Sequence, residues 1–193
     1  MIHNKYFHIL EHFTGDYRKE VYGRELIGKV PLSQKAIALA LQELENEHIL
    51  KSRKTGTVRH YSINELHTGI KDVLLATEIQ KKIDFLSTYR ALAHLFREDE
   101  RIVGIFGSYA KGTAKEHSDI DVFIIGRTME EDYGKKGKSL NKEISIKYFS
   151  EREWAMLLRQ KNNLCKEILA NHILLFNSET FIRLAWREYY GFG

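Results

Sequence analysis

Asp119 and Asp121 are separated by one residue and lead directly into an apolar run, Val122–Ile125. Side chains at positions i and i+2 of a β-strand point to the same face, so both carboxylates are expected to project together from the head of a strand. Two carboxylates this close repel each other unless a cation lies between them. Mg²⁺ binds through one or two carboxylates together with substrate phosphates. The pattern therefore predicts a site for Mg²⁺ (or Mn²⁺) and a phosphate-bearing substrate.

A glycine and a serine precede this pair of aspartates by ten intervening residues. Gly107 and Ser108 directly follow a first apolar run, residues 102–106. A glycine lets the backbone approach a phosphate closely, and backbone amides and a serine hydroxyl can donate hydrogen bonds to it. We therefore expect Gly107 and Ser108 to bind phosphate beside the metal. Lys111 and Ser118 are further candidates for phosphate binding, and the alternative for Lys111 is a solvent-facing side chain.

Two other phosphate-binding motifs do not fit these glycines. A Walker loop requires a lysine directly after its second glycine, but Thr113 follows Gly112. A dinucleotide fingerprint requires Gly-x-Gly-x-x-Gly, and Gly104, Gly107 and Gly112 have a different spacing. Neither an ordinary P-loop nor a dinucleotide-binding turn is predicted.

The run from Gly107-Ser108 to Asp119-Ile120-Asp121 resembles the signature of the DNA polymerase beta nucleotidyltransferase superfamily, in particular its minimal nucleotidyltransferases. The resemblance covers about residues 85–176. It implies transfer of a nucleoside monophosphate, AMP as the first choice, from an NTP, with ATP as the first candidate and with Asp119 and Asp121 as metal ligands. It also implies a third carboxylate near Ser145, where this chain instead has Glu143 one pleat earlier on the same strand face. Glu143 is the candidate ligand for the second metal ion. If its side chain cannot reach this ion, the chain would bind nucleotide but transfer the nucleoside monophosphate poorly.

The first third of the chain shows the pattern of a winged helix. Apolar residues at helical spacing predict helices over residues 6–13, over 21–27, and from a cap at Ser33 to His48. Two strands are predicted on either side of a turn at Gly56. This order resembles archaeal and bacterial winged-helix regulators over about residues 1–65. The resemblance implies that the early recognition-helix residues enter the major groove and that wing residues contact phosphate. The candidates for DNA binding are Ser33, Gln34, Lys35, Lys51, Arg53, Lys54 and Arg59.

The basic wing also has other interpretations. Charges on strand edges commonly face solvent and prevent aggregation. Winged helices also serve as protein-docking modules. These alternatives to DNA contact stay open on the sequence alone.

The predicted architecture is an α/β (α+β) protein of two domains. We expect a winged helix-turn-helix over residues 1–66, a helical connector over 67–100, and over 101–193 a nucleotidyltransferase fold with a short mixed β-sheet and covering helices. The apolar stripe of the connector is either the seam of a homodimer or a face that packs on its own second domain.

Composition supports a globular protein. Of the 193 residues, 43% are hydrophobic and 29% are charged, and the net charge of +4 permits nucleic-acid binding without requiring it. The single cysteine, Cys165, excludes an internal disulfide and a cysteine zinc cluster. No apolar run approaches the length of a membrane span, and the first residues lack the pattern of a signal peptide. We expect a cytoplasmic protein that does not bind membranes.

Three functions follow from these patterns. The first is a nucleotidyltransferase whose acceptor is a protein or nucleic-acid hydroxyl; minimal nucleotidyltransferases include antitoxins that modify a HEPN toxin, and a winged helix would suit autoregulation. The second is a DNA-binding transcriptional regulator whose nucleotidyltransferase-like domain binds nucleotide without efficient catalysis. The third is an RNA or small-molecule nucleotidyltransferase whose basic wing binds RNA.

Overall fold

The computed structural model describes residues 4–96, 98–128, 133 and 142–192. The chain divides into two compact units, Met1–Thr77 and Glu78–Gly193. The division falls inside the segment predicted as a helical connector. The two units are described separately below.

The first unit combines helices with a small antiparallel sheet. Its elements are α1 (Asn4–Thr14), β1 (Val21–Tyr22), a 3₁₀ turn (Gly23–Leu26), α2 (Gln34–Asn46), β2 (Leu50–Thr55) and β3 (Val58–Ile63). The sheet order is β1-β3-β2, and β2 and β3 form the predicted hairpin around Gly56. The helix predicted over residues 21–27 was wrong at its start, because Val21 and Tyr22 pair with β3 and only the 3₁₀ turn is helical.

Local sequence explains the limits of α2. The Ser33 hydroxyl accepts a hydrogen bond from the Ala36 amide at 3.2 Å, which satisfies one free N–H of the first turn. Ile37, Leu41 and Leu44 lie on one buried face of the helix. Gln34 and Lys35, the first two residues of the helix, are exposed. The cap at Ser33 is therefore confirmed, while the winged-helix assignment itself stays a prediction.

A long helix, α3 (Ile70–Thr88), crosses the division between the units, and a short α4 (Arg90–Ala93) follows it. The connector was predicted as one long helix or two in succession, and two are present. Within the described part of the chain, no helix combines the length and the apolar character that a membrane crossing requires.

The second unit is built on a four-stranded mixed sheet of order β6-β5-β4-β7. Its further elements are β4 (Ile102–Phe106), α5 (Gly107–Ala110), β5 (Ile120–Ile125), β6 (Ile144–Phe149), α6 (Glu151–Arg159), α7 (Asn163–Ala170), β7 (Ile173–Phe176), α8 (Ser178–Leu184) and a π-helical turn (Ala185–Tyr189). Strands β5 and β6 are parallel, and the other neighbours are antiparallel. The predicted mixed α/β sheet is confirmed.

Of two predicted elements beside this sheet, one forms as predicted and the other ends early. The capping box of Ser150 and Glu153 forms as predicted and starts α6. The helix predicted over residues 164–176 ends at Ala170, and the last four residues form β7 instead. A short apolar run fits a buried strand and a buried helix equally well by periodicity, and here pairing with β4 decides the outcome.

A buried charged cluster anchors the end of α7. His172 Nδ1 lies 3.0 and 2.9 Å from the carbonyl oxygens of Ile168 and Leu169, and Nε2 lies 3.1 Å from Glu78 Oε1. Carbonyl oxygens accept hydrogen bonds, so the Nδ1–H donates to the last turn of α7, while Nε2 faces the Glu78 carboxylate. Lys81 Nζ pairs with Glu78 at 3.0 Å. These contacts cap the carboxyl end of α7 and join it to the buried ion pair of Glu78 and Lys81.

Candidate functional site

Gly107 and Asp121 are in direct contact at the end of β4. Asp121 is the register partner of Phe106, the last residue of β4. Gly107 has a φ of +69°, which glycine adopts without strain, and a Cβ added to it would lie 2.1 Å from Asp121 Oδ2. The backbone of the glycine therefore packs against the carboxylate, and any larger residue would displace it. The sequence-predicted pairing of this glycine with the Asp-x-Asp motif is thus a physical contact.

Negative charge accumulates around Asp121. Partial burial raises the pKa of Asp121, and the charges of Asp119 and Glu167 raise it further, while Lys147 and Lys111 act in the opposite direction. Each of these causes except the lysines disfavours the charged carboxylate, and a cation between Asp119 and Asp121 would relieve the repulsion. Two carboxylate oxygen donors at an open strand end fit Mg²⁺. Across the described residues, no group of three or more Asp, Glu, His or Cys side chains is arranged to hold a metal.

The position opposite Asp121 on β6 is occupied by a serine. The parallel register pairs Asp121 with Ser145, which is the position where the family resemblance implies the third carboxylate. Glu143 precedes β6 and is exposed, and its carbonyl oxygen accepts a hydrogen bond from the Ile120 amide at 2.9 Å. The charges that shift the pKa of Asp121 do not include Glu143. The role of Glu143 as a metal ligand stays a prediction.

Glu167 is the acidic residue near the site that sequence reasoning missed. It lies on α7, and its carboxylate is 3.0 Å from Lys111 Nζ. No local motif marks Glu167, because its approach to Asp121 depends on how α7 packs in the second unit. A sequence pattern that extends over a few residues contains no information of this kind.

The remaining predicted phosphate-binding residues lie in the segment between β4 and β5. The Ser108 side chain is half-buried at the start of α5, and its carbonyl accepts from the Thr113 amide at 2.9 Å. Lys111 ends α5, and its amide donates to the Gly107 carbonyl at 3.1 Å. The Ser118 hydroxyl accepts from the Lys115 amide at 2.8 Å, so it closes the loop ahead of Asp119. The structure therefore brings Lys111 to the site and places Ser118 as a support of the loop.

The basic residues of the wing are largely paired with acids from outside the hairpin. Arg53 donates two hydrogen bonds to Glu20, at 2.7 and 2.6 Å. Arg59 pairs with Glu45 at 3.0 Å. Lys51 pairs with Glu65. Glu20 precedes β1, Glu45 lies in α2 and Glu65 follows β3, so the acids that pair with the hairpin come from other parts of the first unit.

Two of the lysines predicted to bind DNA are available to contact a nucleic-acid backbone. Lys54 and Lys35 are exposed, and neither forms an ion pair within the described part of the chain. Gln34 and Arg59 line an open groove of about 440 Å³ between the start of α2 and the hairpin. The structure thus leaves less uncompensated positive charge on this face than the sequence predicted.

Comparison with known proteins supports the assignment of the second unit. Residues 89–175 match the family model of the nucleotidyltransferase domain. This segment contains the glycine–carboxylate contact and Glu167, and it supports a nucleotidyltransferase at the level of the class of reaction.

Two further comparisons carry no argument about function. No match was found among curated proteins. One solved structure, described as "Crystal structure of the toxin-antitoxin with AMP-PNP", is 16% identical over 56% of this chain and 82% of that chain, with a TM-score of 0.33. The basic residues of the wing lie outside the segment that resembles nucleotidyltransferase domains.

Proposed function

We propose that the chain transfers a nucleoside monophosphate, AMP as the first choice, from an NTP to a hydroxyl group in a Mg²⁺-dependent reaction. The observation that carries the proposal is the contact of Gly107 with the Asp121 carboxylate, with Asp119 beside it. The match of residues 89–175 to the nucleotidyltransferase domain supports the class of reaction.

The proposed reaction is a substitution at the α-phosphorus of the nucleotide. The acceptor hydroxyl loses its proton to solvent, and its oxygen forms a bond to this phosphorus. The bond from this phosphorus to the oxygen that bridges to the β-phosphate breaks, and pyrophosphate leaves with the electron pair. Asp119 and Asp121 would hold the Mg²⁺, which supplies charge neutralisation when bound. The Gly107 backbone and the Ser108 hydroxyl would orient the phosphates.

The proposed acceptor is a hydroxyl of a protein or a nucleic acid, and a HEPN toxin is the first protein to test. The resemblance to minimal nucleotidyltransferases supports a protein acceptor, since some of these enzymes modify such partners. In this proposal the first unit binds DNA for autoregulation. The exposed Gln34 and Lys35 of α2 and the unpaired Lys54 support DNA contact. The ion pairs on Lys51, Arg53 and Arg59 limit its electrostatic strength.

Covalent labelling tests the transferase. The protein is incubated with Mg²⁺, ATP labelled at the α-phosphate and a lysate of the source cell, and the other NTPs follow. We expect a labelled protein or RNA band that disappears in Asp119→Asn/Asp121→Asn. Asp84→Asn is the control, because it makes the same Asp-to-Asn replacement on an exposed residue of the same unit. Equal labelling by the double variant and the wild type would refute the assignment of the two aspartates.

A specific observation favours a second function, a DNA-binding regulator that senses nucleotide without efficient transfer. Ser145 occupies the position of the implied third carboxylate, so the second metal ion has one ligand fewer unless Glu143 supplies it. This function predicts specific DNA binding whose affinity changes with Mg²⁺ and ATP while the ATP stays intact. Label that accumulates on an acceptor would exclude it, and a preference for structured RNA over duplex DNA would favour an RNA acceptor instead.

A further inference from the structure

The ion pair of Lys111 and Glu167 lies beside the carboxylates of the candidate site. Lys111 Nζ is 3.0 Å from Glu167 Oε1, and the two side chains are 40% and 46% exposed. Lys111 follows Gly107 by one helical turn, since its amide donates to the Gly107 carbonyl. Gly107 in turn packs against the Asp121 carboxylate, so two successive contacts link Lys111 to this carboxylate. The pair therefore lies next to the position that a metal-bound triphosphate would take.

Glu167 lies on a helix whose two ends are both held. At the start of α7, the Asn162 side chain accepts a hydrogen bond from the Leu164 amide at 2.9 Å. At its end, His172 donates to the carbonyls of the last turn and bonds to the buried Glu78. Both ends of the helix are thus held, whereas Lys111 carries its charge on a long side chain after the four-residue α5. The pair can therefore separate by rotation of the lysine side chain while α7 stays in place.

We propose that Glu167 is a positioning residue that holds Lys111 away from the phosphates until a nucleotide binds, whereupon Lys111 exchanges the carboxylate for a phosphate oxygen. This inference rests on the proposed function and names a regulator of the same site. The exchange changes only non-covalent contacts, and the ammonium keeps its charge throughout. An exposed ion pair contributes little stability, so a triphosphate can replace the carboxylate at small cost.

The exchange has a defined effect on affinity. With Glu167 neutral, the ion pair no longer has to be broken, and the released carboxylate no longer faces the phosphates. Glu167→Gln is therefore expected to tighten nucleotide binding by about two- to fivefold, the size that corresponds to an exposed ion pair. Lys111→Met is expected to weaken binding by about tenfold, because a charge-assisted contact with phosphate is lost.

Calorimetric titration of the full chain with Mg²⁺ and α,β-methylene-ATP at physiological salt tests the exchange, since this analogue cannot be transferred. The four proteins are the wild type, Glu167→Gln, Lys111→Met and the double variant. Glu179→Gln and Lys166→Met are matched controls that remove one exposed charge of the same type from the same unit, and both should bind like the wild type. In the Lys111→Met background, the gain from Glu167→Gln should fall below about 1.5-fold.

The outcomes separate this inference from the proposed function. Weaker or unchanged binding by Glu167→Gln, or an equal gain in both backgrounds, would overturn the inference while nucleotide binding by the wild type still stood. Absence of any Mg²⁺-dependent binding by the wild type would overturn both. Inorganic tripolyphosphate with Mg²⁺ should reproduce the gain, because Lys111 is proposed to contact phosphate; a gain seen only with the nucleoside present would contradict this.

Discussion

Replacement of Gly107 by alanine is the most direct perturbation of the candidate site. The added Cβ would lie 2.1 Å from Asp121 Oδ2, whereas real Cβ contacts essentially never fall below 3.0 Å. The carboxylate must therefore move by about 0.9 Å, and a displacement of about 1 Å at a reacting centre can cost about 10²-fold in rate. We expect Gly107→Ala to lose about 10²-fold in kcat/KM for nucleotidyl transfer, together with weaker Mg²⁺-dependent nucleotide binding.

Gly112→Ala is a closely matched control for this experiment. Gly112 has the same φ of +69°, and a Cβ at this position would have no neighbouring heavy atom within 4 Å. Both variants carry the cost of alanine in the left-handed region, about 1–2 kcal/mol in the free energy of unfolding. Only Gly107→Ala displaces the carboxylate, so the difference between the variants isolates the contact with Asp121.

The assay is the initial rate of labelling from α-labelled ATP, or calorimetric binding of the non-transferable analogue where no acceptor is known. Denaturant unfolding of both variants corrects for any loss of folded protein. If Gly107→Ala keeps its activity and Mg²⁺-dependent binding within about threefold of Gly112→Ala, the carboxylate is not where catalysis needs it. That result would refute the reasoning from the glycine contact.

Two further predictions concern stability and nucleic-acid binding. Burial by itself would raise the pKa of Glu78, but the charges of Lys81 and His172 outweigh it and lower the pKa to about 2. The resulting stabilisation is present above the ordinary pKa of 4.5 and is lost as the pH falls toward 2. The free energy of unfolding of the wild type, measured with denaturant, should therefore fall by about 3 kcal/mol over this pH range. Glu78→Gln should not show this loss. For duplex DNA or structured RNA, Lys54→Ala should reduce the slope of log affinity against log salt by about one, whereas Arg53→Ala, whose charge is already paired with Glu20, should change it less. Equal salt slopes for the two variants would contradict the ion-pair argument.

Local patterns in the sequence predicted the elements that carry the nucleotide site. Gly107 and Asp121 were identified from their spacing and from the apolar runs beside them, because strand alternation and the special backbone of glycine act over only a few residues. The same holds for the caps at Ser33 and Ser150, which depend on side chains next to the helix start. These parts of the prediction needed no knowledge of distant contacts.

Tertiary packing decided what the local patterns left open. Pairing with β4 made residues 173–176 a strand, although their apolar run suits a helix equally well. Packing of α7 brought Glu167 to Lys111, and the fold of the first unit placed Glu20 against Arg53. Each of these contacts joins residues far apart in the chain, so their charge balance depends on distances that only the folded protein defines. The sequence thus indicated the class of reaction for the second unit, and the tertiary structure determined which charges surround the candidate site.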